Sequence, residues 1–122
     1  MAGSITVSKG KHGAKGVTIS VGSEWYTLVV DAARQYFPAS ATHYVEQIYG
    51  EGDEGFGDWA DLREVSAEGF NIFYRAIRRS IEAQARCLFD SDGRSRPTPF
   101  GTYTDSEIIA KLEADPRFDS RV

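Results

Sequence analysis

Two short segments near the N-terminus alternate apolar with small polar residues. They cover residues 5–8 (ITVS) and 17–21 (VTISV), and a period of two is typical of strands with one buried face. The segment between them, KGKHGAKG, is rich in glycine and lysine, which favours a hairpin loop. The pattern therefore predicts a β-hairpin at the start of the chain.

Most of the remaining chain repeats its apolar residues at intervals of three and four. Between Trp25 and Tyr36 this period predicts a helix that Ser23 could cap and that ends before Pro38. Residues 25–30 alone would also suit a strand, but the helical period continues beyond them. Residues 41–49 fit one face of a helix and also have the composition of a strand, so both interpretations stay open.

The clearest helical pattern covers residues 67–87. Ser66 is a favourable N-cap, and Glu68 suits the positive end of a helix. The apolar positions that recur at helical spacing are Phe70, Tyr74, Ile77, Ile81 and Leu88. The opposite stripe, which is expected to be polar, holds Asn71, Arg75, Arg78, Glu82 and Arg86.

A shorter helix is predicted near the C-terminus. Residues 104–107 (TDSE) have the form of a capping box, which begins a helix with Ile108, Ile109 and Leu112 facing inward. Pro116 would end this helix. Because strands cluster early in the chain and helices late, we predict an α+β fold, in which an antiparallel β-hairpin or sheet packs with the long amphipathic helix and the short C-terminal helix.

Composition limits the size and class of the protein. A chain of 122 residues with 41% hydrophobic and 26% charged residues suits one globular domain spanning residues 1–122. Cys87 is the only cysteine, so an internal disulfide is excluded and a reducing compartment is the simpler expectation. The sequence has no apolar stretch typical of a signal peptide or a membrane span, which predicts a cytoplasmic protein without membrane contact.

Charge narrows the choice of partner. Fourteen lysines and arginines against eighteen aspartates and glutamates give a net charge of −4. A negative protein is a poor match for nucleic acid, whose binding depends on neutralising phosphates, and a good match for a basic protein. We therefore expect no direct binding of nucleic acid.

The acidic segment, which we define as residues 49–62 (YGEGDEGFGDWADL), is the most unusual part of the sequence. Its five carboxylates are Glu51, Asp53, Glu54, Asp58 and Asp61, and its two large aromatics inside this acidic run are Phe56 and Trp59. The spacing does not match a calcium-binding EF-hand loop, and a glycine-rich loop does not hold a pair of catalytic carboxylates at a fixed distance. The segment could instead pair with basic side chains of a partner, or it could be a solvated connection with Trp59 in the core.

Other residue patterns offer weaker chemistry. His12 and His43 could act as base and acid in a metal-free ribonuclease, which stays open as an alternative. Cys87 ends an amphipathic helix, where a buried, inert thiol is the usual state. One cysteine and two distant histidines do not suit zinc, and no cofactor is expected. The KGKHGAKG loop lacks the spacing of a phosphate-binding loop.

Two stretches carry a family resemblance. The sequences WADLREVSAEGFNIFYRAIRRSIEA and IIAKLEADPRF resemble the immunity proteins of bacterial toxin systems, particularly those that neutralise toxins of contact-dependent growth inhibition. The resemblance implies a cytosolic protein without catalytic residues that binds a cognate toxin domain, often a nuclease, and covers its active site.

The residues and the resemblance together predict an immunity protein that is not an enzyme. Its toxin-binding residues are expected to be Glu51, Asp53, Glu54, Phe56, Asp58, Trp59 and Asp61, the carboxylates pairing with toxin cations and the aromatics serving as apolar anchors. The long helix also carries an arginine stripe on its solvated face, formed by Arg75, Arg78, Arg79 and Arg86. This arginine stripe and the KGKHGAKG loop are alternative positions for the interface. A ribonuclease using His12 and His43, or an adaptor subunit of a larger assembly, are the alternative functions.

Overall fold

The computed structural model describes residues 3–8, 16–22, 25–51, 59–87 and 101–119. The strands are β1 (Gly3–Ser8), β2 (Val17–Val21) and β3 (Trp59–Asp61). The α-helices are α2 (Thr42–Glu51), α3 (Ala67–Cys87) and α4 (Gly101–Glu113), and the helical segment that precedes them, α1, joins a π-helical turn (Tyr26–Asp31) to a 3-10 turn (Ala32–Tyr36). A further 3-10 turn, Ala39–Ala41, leads into α2.

The three strands form one sheet, with the strand order β2-β1-β3. The predicted hairpin is confirmed: β1 and β2 are antiparallel, with Ile5 opposite Ile19. The third strand was not predicted. It lies parallel to β1, with Ile5 opposite Ala60, so the sheet is mixed rather than purely antiparallel. Side chains alternate along β1, and Ile5 and Val7 face the core.

The helix predicted after residue 25 is present, but its geometry is not that of a regular α-helix. The chain forms a π-helical turn and then tightens into a 3-10 turn before Phe37 adopts an extended conformation ahead of Pro38. A residue before proline is disfavoured in the α region, which explains why the helix ends there. Val29, Val30 and Ala33 from this segment are almost fully buried.

The open choice for residues 41–49 is decided in favour of a helix, since α2 covers Thr42–Glu51. Tyr44, Ile48 and Tyr49 form its buried face. The Tyr49 hydroxyl donates a hydrogen bond of 2.6 Å to the carbonyl of Val30, which satisfies the one polar atom of that buried side chain.

The long helix α3 runs over the predicted residues, Ala67–Cys87. The backbone N–H of Gly69 donates to the Ser66 hydroxyl at 3.2 Å, as expected for an N-cap. The prediction that Asn71 lies on the polar face is wrong. Asn71 is buried, because its side chain bonds to the carbonyls of Ala67 and Arg117 and to the backbone N–H of Asp119.

The C-terminal helix starts earlier than its capping pattern predicted. It begins at Gly101, so Thr104 lies inside the helix rather than at its N-cap. The predicted inward residues Ile108 and Leu112 are buried, and Ile109 packs partly against the same core. The helix ends at Glu113, ahead of Pro116, and the turn that follows brings Arg117 back to the sheet.

Candidate partner-binding surface

The acidic segment begins at the end of one helix and ends in a strand. Glu51 is the last residue of α2, and residues 59–61 form β3. Residues 52–58, with Asp53, Glu54, Phe56 and Asp58, lie outside the described residues, as does the side chain of Glu51. The toxin-binding role of these residues therefore stays a prediction.

Trp59 lies on the edge of the sheet. Its indole N–H donates a hydrogen bond of 2.8 Å to the Thr6 hydroxyl on β1, and the Arg63 guanidinium lies 5.3 Å from the centre of its ring. The side chain is half-buried. The indole is thus tied to the sheet edge through Thr6, and its role as an apolar anchor stays a prediction.

Asp61 already has a cationic neighbour. Arg63 donates two hydrogen bonds of 2.9 Å to its carboxylate oxygens, and the backbone N–H of Arg63 adds a third of 3.0 Å. The Asp61 side chain is only 14% exposed. To contact a toxin cation, this carboxylate would have to share its oxygens with Arg63.

Of the two histidines of the alternative ribonuclease, the structure describes His43. His43 is exposed on α2, and its ring centre lies 4.0 Å from that of Tyr44. His12 and the side chain of Cys87 lie outside the described residues. Among the residues that are described, no group of three or more His, Cys, Asp or Glu side chains could hold a metal ion. No helix in the same part of the chain is long and apolar enough to cross a membrane.

The arginine stripe of α3 divides into two environments. Arg78 donates to the Tyr74 hydroxyl at 3.1 Å and lies 4.0 Å from the Glu113 carboxylate on α4. Burial, together with a hydrogen bond to Glu113, raises the pKa of the Tyr74 hydroxyl above its usual value. Arg78 therefore belongs to the contact between α3 and α4.

Arg75 and Arg79 face the other way and border a pocket. The arginine pocket, as we name it, has a volume of about 250 Å³ and is lined by Tyr36, Pro38, Ile72, Arg75 and Arg79. The Arg79 guanidinium lies 5.5 Å from the centre of the Tyr36 ring. Helical spacing predicted that these arginines are exposed, but it carried no signal for Tyr36 and Pro38, which approach them from the end of α1.

A second pocket lies at the end of the hairpin where β1 ends and β2 begins. It has a volume of about 380 Å³, and its lining comes from β1, β2 and the end of α4, including Val7, Val17, Lys111 and Pro116. Val17 is the exposed large hydrophobic residue of the described part of the chain, 44% accessible to solvent. Sequence reasoning did not identify this pocket, since its walls are distant in the chain.

Comparisons with known proteins identify the fold through a solved structure and not through sequence. Neither a family model nor a curated protein matches the sequence. Among solved structures, the chain is similar to a chain of the complex of the CdiA-CT toxin from Burkholderia pseudomallei E479 with its cognate CdiI immunity protein. The identity is 20% and the TM-score 0.71, over 97% of this chain and 100% of that chain.

The protein has the fold of a CdiI immunity protein. The resemblance stated from the sequence is thus confirmed at the level of the fold, as is the prediction of an α+β architecture. The match extends over nearly the whole chain, including the hairpin and α2, whereas the sequence resemblance rested on residues 58–83 and 108–118.

Proposed function

We propose that this protein is an immunity protein, which binds a cognate bacterial toxin domain and neutralises it. The observation that carries the proposal is the fold, which is shared over 97% of the chain with a CdiI immunity protein whose structure was solved with its CdiA-CT toxin. Function resides in sites rather than in folds, so the proposal also depends on a surface suited to a protein partner.

The acidic segment is the surface that we assign to the toxin. Five carboxylates in eleven residues, on a chain of net charge −4, would attract and pair with a basic protein. A nuclease uses lysines and arginines to hold phosphates, and the same cations can pair with carboxylates. We therefore propose that the toxin is a basic nuclease and that the acidic segment covers its active site.

Within this segment, carboxylates and aromatics would have different roles. Glu51, Asp53, Glu54, Asp58 and Asp61 would contact toxin cations, and Phe56 and Trp59 would be apolar anchors. The half-buried position of Trp59 on the edge strand β3 supports such a role, because a ring held at one edge by Thr6 is pre-oriented for a partner. Neutralisation by covering a cleft needs no chemistry from this chain, so we propose that it is not an enzyme, and that it acts in the cytoplasm.

The first experiment is a titration with the toxin-like domain encoded next to this protein's gene. Binding would be followed by calorimetry, and the nuclease activity of that domain would be assayed in parallel. We expect nanomolar affinity and loss of activity at a stoichiometric amount of this protein. An absence of binding, or binding without loss of activity, would overturn the proposal.

A charge reversal tests the position of the interface. Replacing Asp53, Glu54 and Asp58 together by lysine should weaken toxin binding more than tenfold, which corresponds to about 1.4 kcal/mol or more. The matched control reverses three exposed carboxylates outside the segment, Glu46, Glu82 and Glu107, and changes the net charge by the same amount. Equal losses in both variants would show a general charge effect and would move the interface away from the acidic segment.

A further inference from the structure

Two arginines of α3 differ from the other arginines whose side chains the structure describes. Each of those others lies within 4.0 Å of a carboxylate: Arg34, Arg63, Arg78 and Arg117. Arg75 and Arg79 form no ion pair with any described residue, although both are exposed. They lie one helical turn apart, and like charges at that spacing destabilise a helix.

The surroundings of these two arginines form a concave site. Ile72 lies one turn before Arg75 on the same face of α3, and Tyr36 and Pro38 approach from the end of α1. Tyr36 also orients Arg79, whose guanidinium lies 5.5 Å from the ring centre. A guanidinium beside apolar walls is partly shielded from water, which strengthens its attraction for an anion.

We propose that the arginine pocket binds a carboxylate side chain of the toxin domain. This inference rests on the proposed function. A guanidinium presents a planar fork of N–H donors that matches a carboxylate, and two such forks at one pocket can hold both oxygens of one aspartate or glutamate. The apolar walls formed by Tyr36, Pro38 and Ile72 would contact the methylene groups of that side chain.

The pocket lies close to the start of the acidic segment. Phe37, which stands between two lining residues of the pocket, packs its ring 6.2 Å from that of Tyr49. Tyr49 precedes Glu51 by two residues in α2. A toxin bound at the pocket would therefore lie near the end of α2, where the acidic segment begins.

A surface with both signs of charge would select among toxins better than an acidic surface alone. Any basic nuclease would be attracted by the carboxylates, but a toxin without an acidic side chain at the matching position would leave two arginines unpaired. A cognate toxin would satisfy both parts of the surface. In this proposal, the arginine pocket makes toxin binding specific and slows dissociation of the complex.

The test replaces both arginines and measures toxin binding. In the variant with Arg75→Ala and Arg79→Ala we expect the dissociation constant to rise at least tenfold, mainly through faster dissociation, with unchanged thermal stability of this protein alone. Lysines at both positions should restore only part of the affinity, because they keep the charge and lose the fork. The matched control, Arg78→Ala with Lys111→Ala, removes the same charge from exposed ion pairs and should change the constant less than threefold.

A double-mutant cycle identifies the occupant. Surface aspartates and glutamates of the toxin would be replaced by alanine one at a time. One of these replacements should cause no further loss of affinity when the toxin variant is combined with the double arginine variant. If no toxin carboxylate couples to the arginines, the proposal is overturned.

The remaining outcomes separate the two proposals. If the unmodified protein binds the toxin and the double variant binds equally well, the pocket proposal fails and the immunity function stands. If the unmodified protein does not bind the toxin, both fail. The double substitution could instead abolish binding of an RNA oligonucleotide or of a second copy of this chain and leave toxin affinity unchanged. That result would assign the pocket to that ligand and overturn the proposal that it binds a toxin carboxylate.

Discussion

Arg117 connects parts of the chain that are far apart in sequence. Its guanidinium donates to the carbonyls of Leu62, Val65 and Val7 at 2.6–2.8 Å and lies 4.6 Å from the ring centre of Phe70. Asp115, whose side chain is only 5% exposed, receives two further hydrogen bonds from it and neutralises its charge. The C-terminal turn is thereby fixed to the sheet and to the start of α3.

This ion pair makes stability depend on pH. Burial alone would raise the pKa of the Asp115 carboxyl, but the hydrogen bonds and charge of Arg117 outweigh it, and the pKa lies below its ordinary value of 3.8. A carboxyl with a lowered pKa stabilises the folded state at pH values above 3.8, and this contribution is lost as the pH falls through the lowered value. Asp115→Asn should therefore cost about 2 kcal/mol at neutral pH and progressively less below pH 4.

Urea unfolding of the unmodified protein and of the Asp115→Asn variant, between neutral pH and pH 3, measures the difference in their free energies of unfolding. The control is Glu107→Gln, which removes an exposed carboxylate paired with Lys111 and should change the free energy of unfolding by less than about 0.5 kcal/mol at every pH. A loss for Asp115→Asn that stays constant over the whole range would contradict the assigned role of the ion pair.

The contacts of Arg117 were predictable from the sequence only in part. The Asp-Pro-Arg ending belonged to the stretch that resembles immunity proteins, but nothing in its periodicity indicated that Arg117 is a structural residue. Its acceptors are backbone carbonyls, which no residue type marks. Asn71 was placed on the polar face for the same reason, since its partners lie at residues 117 and 119, on a turn that only the folded chain brings near.

At the scale of elements, the first turn of α3 packs closely on α2. The Tyr44 hydroxyl lies within 3.1 Å of both the Ser66 hydroxyl and the Glu68 carboxylate, and its ring lies over Gly69. A Cβ at Gly69 would come within 2.5 Å of two ring carbons of Tyr44 and within 2.6 Å of Val65. The glycine is thus required by the contact between the two helices.

We therefore expect Gly69→Ala to destabilise the protein, although alanine is the better helix former. The gain in helix propensity is about 1 kcal/mol, and overpacking costs about 1–3 kcal/mol with displacement of Tyr44 in addition, so the net loss should be about 1–2 kcal/mol. Chemical denaturation measures it. The control is Gly50→Ala in α2, where an added Cβ meets no atom within 4 Å and stability should be unchanged or slightly higher. Equal effects of the two substitutions would refute the close contact.

The elements that sequence predicted well are those whose pattern is long or regular. The hairpin and α3 show clear periods of two and 3.6, and both were placed correctly. β3 has only three residues, too few to show a period, and its pairing with β1 bridges more than fifty residues. The pocket between α1 and α3 depends on packing of these elements, so the sequence indicated its arginines and not its shape.

The protein as a whole is negatively charged, while the arginine pocket carries two positive charges without an ion pair among the described residues. Its net charge of −4 acts at long range, whereas the arginine pocket acts only on a partner already in contact. In a complex with a basic toxin, the net charge should set the rate of association and the pocket should set the rate of dissociation.

The salt dependence of binding kinetics tests this division. Raising the ionic strength from about 0.01 M to about 0.15 M shortens the screening length from about 30 Å to about 8 Å, so association with the toxin should slow about tenfold or more while dissociation changes little. The Arg75→Ala and Arg79→Ala variant has a net charge of −6 instead of −4. At low salt it should associate as fast as the unmodified protein or faster, and dissociate at least tenfold faster.

The variant with Arg78→Ala and Lys111→Ala carries the same net charge of −6 and keeps the pocket, so it should share the fast association and retain slow dissociation. Stopped-flow and surface-binding measurements give both rates. Association that does not respond to salt would exclude attraction by the net charge. Equal dissociation rates in the two variants would exclude the arginine pocket as the part of the surface that retains the toxin.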